Sequence, residues 1–326
     1  MSKKVKIGVT GTGSLIGQAI IKSITTSDLK DRIVLIGFDC FEQTVGSFWV
    51  EKNYITANLL DQKTRWLDWL DSLVPIIKKE KIKLLFIGVD FELRPLAAHK
   101  EEIEKLTGCK IIVSSQEVVA IADDKYLTYK FLKKHGLSYP STFLPEQLKT
   151  VRINYPCVLK PRVGARSRGV FVIKDKIELE NKLPLVDNPI VQELAGNSNS
   201  EYTCGVIFFE NEVKAMIALR RDLKEGNTSV AYYSDDTPTA IYDYIKKTAE
   251  YLKPYGACNF QLQMDRNGVP KLFEINARHS GTTYIRSLFG FKEVEYIIKY
   301  LLGWKTKPFI LRTGLVKRYF EEFYVK

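Results

Sequence analysis

The chain has 326 residues, 45% of them hydrophobic, and a formal net charge of +11. That length fills one large core or two to three smaller ones, and no run of eighteen apolar residues is present to form a transmembrane helix. Met1-Ser2-Lys3-Lys4-Val5 leads straight into a strand-like run, without the apolar segment and small-residue cleavage site of a signal peptide, so a cytoplasmic protein is expected.

Residues 5 to about 118 alternate strand and helix. Val5–Val9 reads as a first strand, and Gly11-Thr12-Gly13-Ser14-Leu15-Ile16-Gly17 turns into a helix over Gln18–Ser23. Ile33–Phe38 is a second strand. Asp61–Glu80 has a helical pattern with Trp66, Leu67, Trp69, Leu70, Leu73 and Ile77 on one side. Leu84–Val89, Pro95–Leu106 and Lys110–Val113 read as strand, helix and strand. Such alternation predicts a parallel, Rossmann-like sheet. The glycines can bring backbone close to a phosphate, and Asp39 lies where a ribose-binding acid usually sits. The spacing is GxGxxxG, however, and the preferred reading is a tight turn that lets the helix pack on the sheet.

Residues 119–136 look helical, stopped by Gly136. Tyr139-Pro140 and Pro145 mark a linker. Tyr155–Lys160 and Gly169–Lys174 read as strands joined by a short basic loop, followed by a strand at Ile190–Leu194. Glu201–Phe209 and Glu212–Arg220 form a hairpin around Glu210-Asn211, Thr239–Leu252 is a helix, and Val294–Leu302 is the last helix. This second part is α+β. Cys40, Cys109, Cys157, Cys204 and Cys258 show no CxxC spacing, and there are three histidines, which argues against a zinc site or a disulfide frame.

The chemistry concentrates in two places. Phe273-Glu274-Ile275-Asn276-Ala277-Arg278 has a period of two, as does Phe260–Asp265 upstream, with turn residues between. A hairpin with Gln261, Glu274, Asn276 and Arg278 on one face is expected, with Phe273, Ile275 and Ala277 on the other. Oxygen ligands of this kind suit Mg²⁺, which keeps water and phosphate oxygens in its shell. Earlier, Lys160-Pro161-Arg162-Val163-Gly164-Ala165-Arg166-Ser167-Arg168-Gly169 places a lysine on a strand before a glycine-containing segment with three arginines, two of them between Gly164 and Gly169. Backbone N–H groups and guanidinium forks both match phosphate oxygens. The remaining basic residues are dispersed beside acids, as in Lys100–Lys105, so a nucleotide fits better than nucleic acid, and no membrane partner is expected.

Asp124-Lys125, Lys160-Pro161-Arg162, the Gly164–Gly169 loop, Gln192-Glu193 and Glu274-Ile275-Asn276 occur in the order found in one family. The chain resembles the ATP-grasp superfamily, in particular one synthetase half of the carbamoyl-phosphate synthase large subunit and its stand-alone relatives. The resemblance implies a pre-ATP-grasp domain at 1–118, an ATP-grasp domain at 119–312 with a mobile lid at about 126–195, and a tail at 313–326. It implies that Lys125 and Lys160 bind nucleotide phosphates and adenine. Arg166, Ser167, Arg168 and Gly169 belong to the phosphate-covering loop, Glu193 and the backbone of Leu194 hold adenine, and Glu201 takes the ribose. Gln261, Glu274 and Asn276 ligate Mg²⁺, with Mn²⁺ as the substitute, and Arg278 steadies an acyl phosphate. Ala277 stands where the family usually has Pro, and His279 where an apolar residue is commoner.

The implied reaction is ADP-forming: ATP activates a small-molecule carboxylate as an acyl phosphate, and an amine attacks it. Two alternatives remain open at this stage. One is bicarbonate or carbamate phosphorylation with a partner chain. The other is an NAD-dependent oxidoreductase built on the opening glycines. His279 reads as a proton acceptor or, preferably, as part of the pocket wall. Arg220, Arg221 and Gly226–Ser229 read either as substrate contacts or as a strand end and surface loop. The family often forms dimers, so the resemblance admits a homodimer, and the oligomeric state stays open at this stage.

Overall fold

The protein is described by a computed structural model covering residues 4–164 and 168–325. Arg166 and Ser167 lie outside the described residues. The first part runs β1 (Val5–Thr10), α1 (Leu15–Thr25), β2 (Ile33–Asp39), β3 (Lys52–Ile55), α2 (Trp66–Glu80), β4 (Leu84–Phe86), α3 (Leu93–Thr107) and β5 (Lys110–Ile111). Its five strands are parallel, in the order β3-β2-β1-β4-β5. Both faces are covered. Ile7, Val9, Leu35, Leu84 and Phe86 pack with α1, while Ile36, Phe38, Leu85 and Ile87 pack with α2 and α3. Continuous apolar strands are what a sheet buried on both sides requires.

The next helices differ from the single run expected at 119–136. There are two, α4 (Gln116–Asp123) and α5 (Lys125–Lys134). The break is Asp124, whose backbone is extended and whose carboxylate accepts from the N–H groups of Tyr126 (2.8 Å) and Leu127 (3.2 Å). An aspartate within a helical run can cap a new helix instead of continuing the old one.

A four-stranded antiparallel sheet follows, built from β6 (Thr142–Phe143), β7 (Cys157–Pro161), β8 (Phe171–Ile173) and β9 (Pro189–Glu193), in the order β6-β9-β7-β8. Helix α6 (Lys176–Lys182) packs on it through Leu179, around Leu159 and Val191. The largest sheet contains β10 (Glu201–Phe209), β11 (Glu212–Lys224), β12 (Asn227–Tyr233), β13 (Gly256–Met264) and β14 (Pro270–Asn276), with α7 (Thr239–Leu252) between β12 and β13. After α8 (Thr283–Leu288) and α9 (Glu293–Leu301) the chain returns as β15 (Gly314–Lys317), giving the antiparallel order β14-β13-β10-β11-β12-β15. One face of this sheet packs on α4, α5 and α7, and the other joins α1, α8 and α9.

Two departures from expectation lie here. Gly226–Ser229 is no surface loop: Glu225 and Gly226, at φ 52° and 73°, form a hairpin turn, and β12 pairs back on β11. Positive φ at both central residues matches the twist of the flanking strands. Residues 313–326 are not a plain tail, because Gly314–Lys317 pairs with Val230–Tyr233.

A buried ion pair fixes the floor beneath the site. Arg286 (1% exposed) bonds Glu293 (0% exposed) at 3.2 Å and also donates to the Asn259 side-chain oxygen. Thr283 donates to the same Glu293 carboxylate. Removing one partner of such a pair costs about 3–5 kcal/mol, since the other charge is left buried and uncompensated. Asn259 also accepts from Thr203 at 2.8 Å, so β10, β13, α8 and α9 are locked to each other.

Candidate active site

The β13–β14 hairpin forms in the expected register. Gln261 faces Glu274 and Asn259 faces Asn276. A shift between Gln261 and Leu262 makes Phe273 an extra residue on β14. The sequence pattern put Phe273 on the core face with Ile275 and Ala277. Instead Leu272, Ile275 and Ala277 are buried, and the Phe273 ring lies 5.3 Å from the Lys160 ammonium. A bulge re-aims one side chain while the rest of the strand keeps its alternation.

The polar face of the hairpin is a connected network. Asn276 Nδ2 donates to Glu274 Oε1 at 3.1 Å, and Gln261 Nε2 approaches the same oxygen at 3.5 Å. Arg278 donates to Asn276 Oδ1 at 2.9 Å and to Asp90 Oδ1 at 2.7 Å. Arg221 (8% exposed) bridges Gln261 Oε1 at 2.6 Å and the Glu201 carboxylate at 2.6 and 2.9 Å. Glu274 is half-buried, and among the described residues its carboxylate has no ion-pair partner. A half-buried anion flanked by two amide side chains matches a divalent cation that keeps much of its hydration. No group of three His, Cys, Asp or Glu side chains is poised to hold a metal among the described residues, so a transition-metal cage is not what this set resembles.

Facing the network is a cationic wall. Lys125 begins α5 and is 8% exposed, donating from Nζ to the Gly164 carbonyl at 3.0 Å. Its own N–H bonds the Arg162 carbonyl at 3.0 Å, and Arg162 grips the Asp124 cap, tying α5 to the end of β7. Lys160 is 5% exposed. Burial, and then the nearby Lys125 ammonium, push its ammonium down to about 7, against the pull of Glu274 and Glu201.

These groups meet at a cleft of about 900 Å³, lined by Lys125, Arg168, Gln261, Glu274, Asn276 and Arg278 among others. Lys160 and Glu201 do not line it: the Lys160 ammonium lies 5.3 Å from the Phe273 ring, and Glu201 is tied to the network by Arg221. Gly169, Glu193 and Leu194 are not part of its lining. The Glu193 carboxylate is occupied. Burial alone pushes it up, but the Lys271 ammonium and the Ser141 N–H outweigh that and hold it below the usual carboxylate range. Arg220, unlike Arg221, turns away from the network to Asp222 and the Tyr232 ring.

His279 does not line the cleft, although Arg278 and Ser280 on either side of it do. It is 2% exposed, its ring lies 5.4 Å from Phe86, and burial pushes the imidazole down to about 4. Asp90, Asn259 and Arg318 also line the cleft and were not singled out from the sequence. Asp90 had a usable signal, because it follows the carboxyl end of a parallel strand, where ligands of such sheets gather. Arg318 had none.

The opening glycines are accounted for by packing. A Cβ on Gly17 would lie 2.1 Å from the Gly11 carbonyl, and one on Gly46 only 1.9 Å from the Thr12 carbonyl. The segment at Gly46 therefore lies directly on the glycine turn. Asp39 accepts from Gly13 N–H (2.8 Å), Thr12 (3.1 Å) and Phe41 N–H (3.1 Å), so its carboxylate braces that turn.

Comparison with known proteins agrees with this geometry. The family model described as an ATP-grasp domain matches residues 122–282. A D-alanine–D-alanine ligase of Bacillus anthracis is 26% identical over 234 residues, covering 63% of this chain and 75% of that protein. The carbamoyl phosphate synthase large chain of Sulfolobus acidocaldarius is 23% identical over 235 residues, 65% of this chain but 21% of that one. Among solved structures, an L-amino acid ligase from Bacillus licheniformis superposes with a TM-score of 0.71 at 14% identity, covering 93% of this chain and 75% of the other.

Proposed function

We propose that the chain, whose residues 122–282 match the ATP-grasp domain model, is an ATP-dependent, ADP-forming ligase that activates a carboxylate as an acyl phosphate for attack by an amine. The observation that carries this reading is the opposition of two surfaces across one cleft. Lys125 on the lining and the buried Lys160 offer cations for a polyphosphate, while Glu274 offers a carboxylate flanked by Gln261 and Asn276, whose amide oxygens are held by Arg221 and Arg278. Mg²⁺, when bound, would be held by Gln261, Glu274 and Asn276 and would neutralise charge on the transferring phosphoryl group.

The protein's own work is positioning. Lys160 and Lys125 draw the phosphates against the hairpin. Arg278, braced by Asp90 and Asn276, offers a guanidinium to the oxyanion of the acyl group. In this reading 126–195 is the lid that excludes water from the acyl phosphate, with Arg168 and Gly169 in its covering loop and Glu193 and Leu194 at the adenine edge. Glu201 takes the ribose. Residues 1–118 are a Rossmann-like pre-ATP-grasp domain that supplies Asp90 to the site. A cytoplasmic homodimer is the assembly we propose. No helix among the described residues is long and apolar enough to cross a membrane.

The two other readings are less favoured. Phosphorylation of bicarbonate would need a partner to supply ammonia. A dinucleotide would have to displace the Gly46 segment from the glycine turn.

The direct experiment is ADP formation with a panel of amino acids as carboxylate and amine. ADP and phosphate should appear together only when both are present. Formation of AMP and pyrophosphate, or binding of NAD in place of ATP, would contradict the assignment.

Lys160 adds a pH signature. Phosphate oxygens favour its ammonium form, so nucleotide binding above about pH 7 should take up a proton. ADP affinity is expected to fall with rising pH above that point, by up to about tenfold per unit for one proton. Calorimetric titration at pH 8 in two buffers of different ionisation enthalpy reads the uptake, which Lys160→Arg should abolish. The linked stability has the opposite sense. The folded pKa lies below the ordinary 10.5, so the unfolded chain binds the extra proton, and Lys160 makes folding more favourable as pH rises from about 7 towards 10.5.

A further inference from the structure

The cleft does not end at Arg278. Two residues beyond it, Ser280, Gly281 and Thr282 continue the lining, and two residues before its partner Asp90, Gly88 does the same. Ser14 joins them, donating to the Gly88 carbonyl at 2.7 Å. Arg318 closes this end. It arrives from the far C-terminus because β15 pairs with β12, and its N–H bonds the Ser229 carbonyl at 2.8 Å. Its guanidinium donates to the Gly281 carbonyl at 2.5 Å and lines the cleft half-buried. Among the described residues it makes no ion pair, whereas Arg94, also on the lining, is paired with Asp123. Burial lowers its pKa, a sign of a charge partly withdrawn from water without an anion to offset it. A guanidinium carries five donors, so several N–H groups remain for a ligand.

Resting on the ligase reading, we infer that Arg318 holds the carboxylate of the amine substrate, which is therefore an amino acid. A single unpaired guanidinium matches one carboxylate, with two parallel N–H···O bonds, better than it matches a dianionic phosphate. Anchored there, the acceptor points its amine towards Arg278 and the acyl group. The bonds balance without another reagent. The donor carboxylate oxygen takes the γ-phosphoryl group as the bond to ADP breaks. The amine nitrogen then forms the C–N bond, phosphate leaves with the C–O electron pair, and the nitrogen loses its proton to solvent.

The test uses the full-length protein with ATP and Mg²⁺, and the probes are the proteinogenic L-amino acids, D-alanine and D-aspartate, each beside its α-carboxamide. The wild type should form ADP with one or more of the acids and fail with the corresponding amides. Arg318→Ala should raise the acceptor KM about 10- to 100-fold with little change in the KM for ATP. Arg318→Lys, which keeps the charge but loses the fork, should recover part of that. Thermal unfolding of both variants separates this loss from a loosened β15, since a merely structural role would not single out the acceptor KM. The assignment is overturned if the amides serve as well as the acids, or if Arg318→Ala keeps the wild-type acceptor KM. If no carboxylate and amine pair yields ADP, the ligase reading itself fails and this inference falls with it.

Discussion

Replacing Glu274 with alanine is expected to lower kcat for ADP formation by about a thousandfold, while the protein stays folded. The carboxylate is the sole anion among the three proposed metal ligands, and it holds the two amides in place through its Oε1. Its loss removes the charge that makes the set attractive to a divalent cation and the oxygen that Gln261 and Asn276 share, although Arg221 and Arg278 still hold their amide oxygens. Electrostatic groups aimed at a transferring phosphoryl are worth about 10²–10³ in rate when removed singly, and the associated metal adds to that. The fold should tolerate the change, because Glu274 is half-buried and the core side of β14 is carried by Leu272, Ile275 and Ala277. Half-exposed substitutions of this kind usually move stability by about 1 kcal/mol or less. The measurement is steady-state ADP release against Mg²⁺ concentration, beside a urea unfolding curve. Glu274→Gln serves as the isosteric control, and it should weaken the Mg²⁺ dependence almost as much as alanine does. Wild-type turnover in the alanine variant, with an active substrate pair present, would refute the metal assignment.

Much of this site was legible because its residues are close in sequence and obey a short period. Glu274, Asn276 and Arg278 share a strand face by alternation alone, and Gln261 joins them through a five-residue turn that fixes the register. Lys160 was legible for a different reason, standing on a strand just before a glycine-bounded basic loop. What the pattern missed depended on contacts distant in sequence or on one irregular residue. The bulge at Phe273 breaks no rule visible along the chain, yet it moves that ring from the core to Lys160. Asp124 ends one helix and starts another because its carboxylate can cap, a choice that depends on Arg162 being near. Asp90 reaches Arg278 across 188 residues, and Arg318 reaches Gly281 only after a short strand has docked on β12. A short edge strand such as Gly314–Lys317 has little local signature, because its partner supplies the hydrogen bonds that define it. The same logic separates Arg221 from Arg220. Alternation says that they face opposite sides, but only the pairing of β10 with β13 shows which side carries Gln261.

Arg278→Ala is expected to cut kcat by about 10²–10³-fold while leaving ADP affinity within about twofold of wild type. The argument starts from how this side chain is held. Its Nε donates to Asp90 Oδ1, and the terminal nitrogen that forms the ion pair with the same carboxylate donates to Asn276 Oδ1, so the guanidinium plane is fixed from two sides before any substrate arrives. Orientation paid in advance by folding need not be found again during the reaction. A charge so placed, 11% exposed at the cleft wall, acts where water screens it little. If its role is on the acyl group, removal must appear in the chemical step and not in nucleotide binding, which we assign to Lys125 and Lys160. Single-turnover ADP formation beside calorimetric ADP titration makes that separation. Asp90→Asn supplies the second reading. It keeps an acceptor oxygen but removes the countercharge, so Arg278 stays in place less firmly, and a smaller loss of about tenfold in kcat follows from misplacement alone. The two changes together should cost little more than Arg278→Ala by itself, because Asp90 acts through the arginine. Full additivity would show that Asp90 touches the reaction on its own account, and an Arg278→Ala enzyme with ordinary kcat would remove the guanidinium from the chemistry altogether.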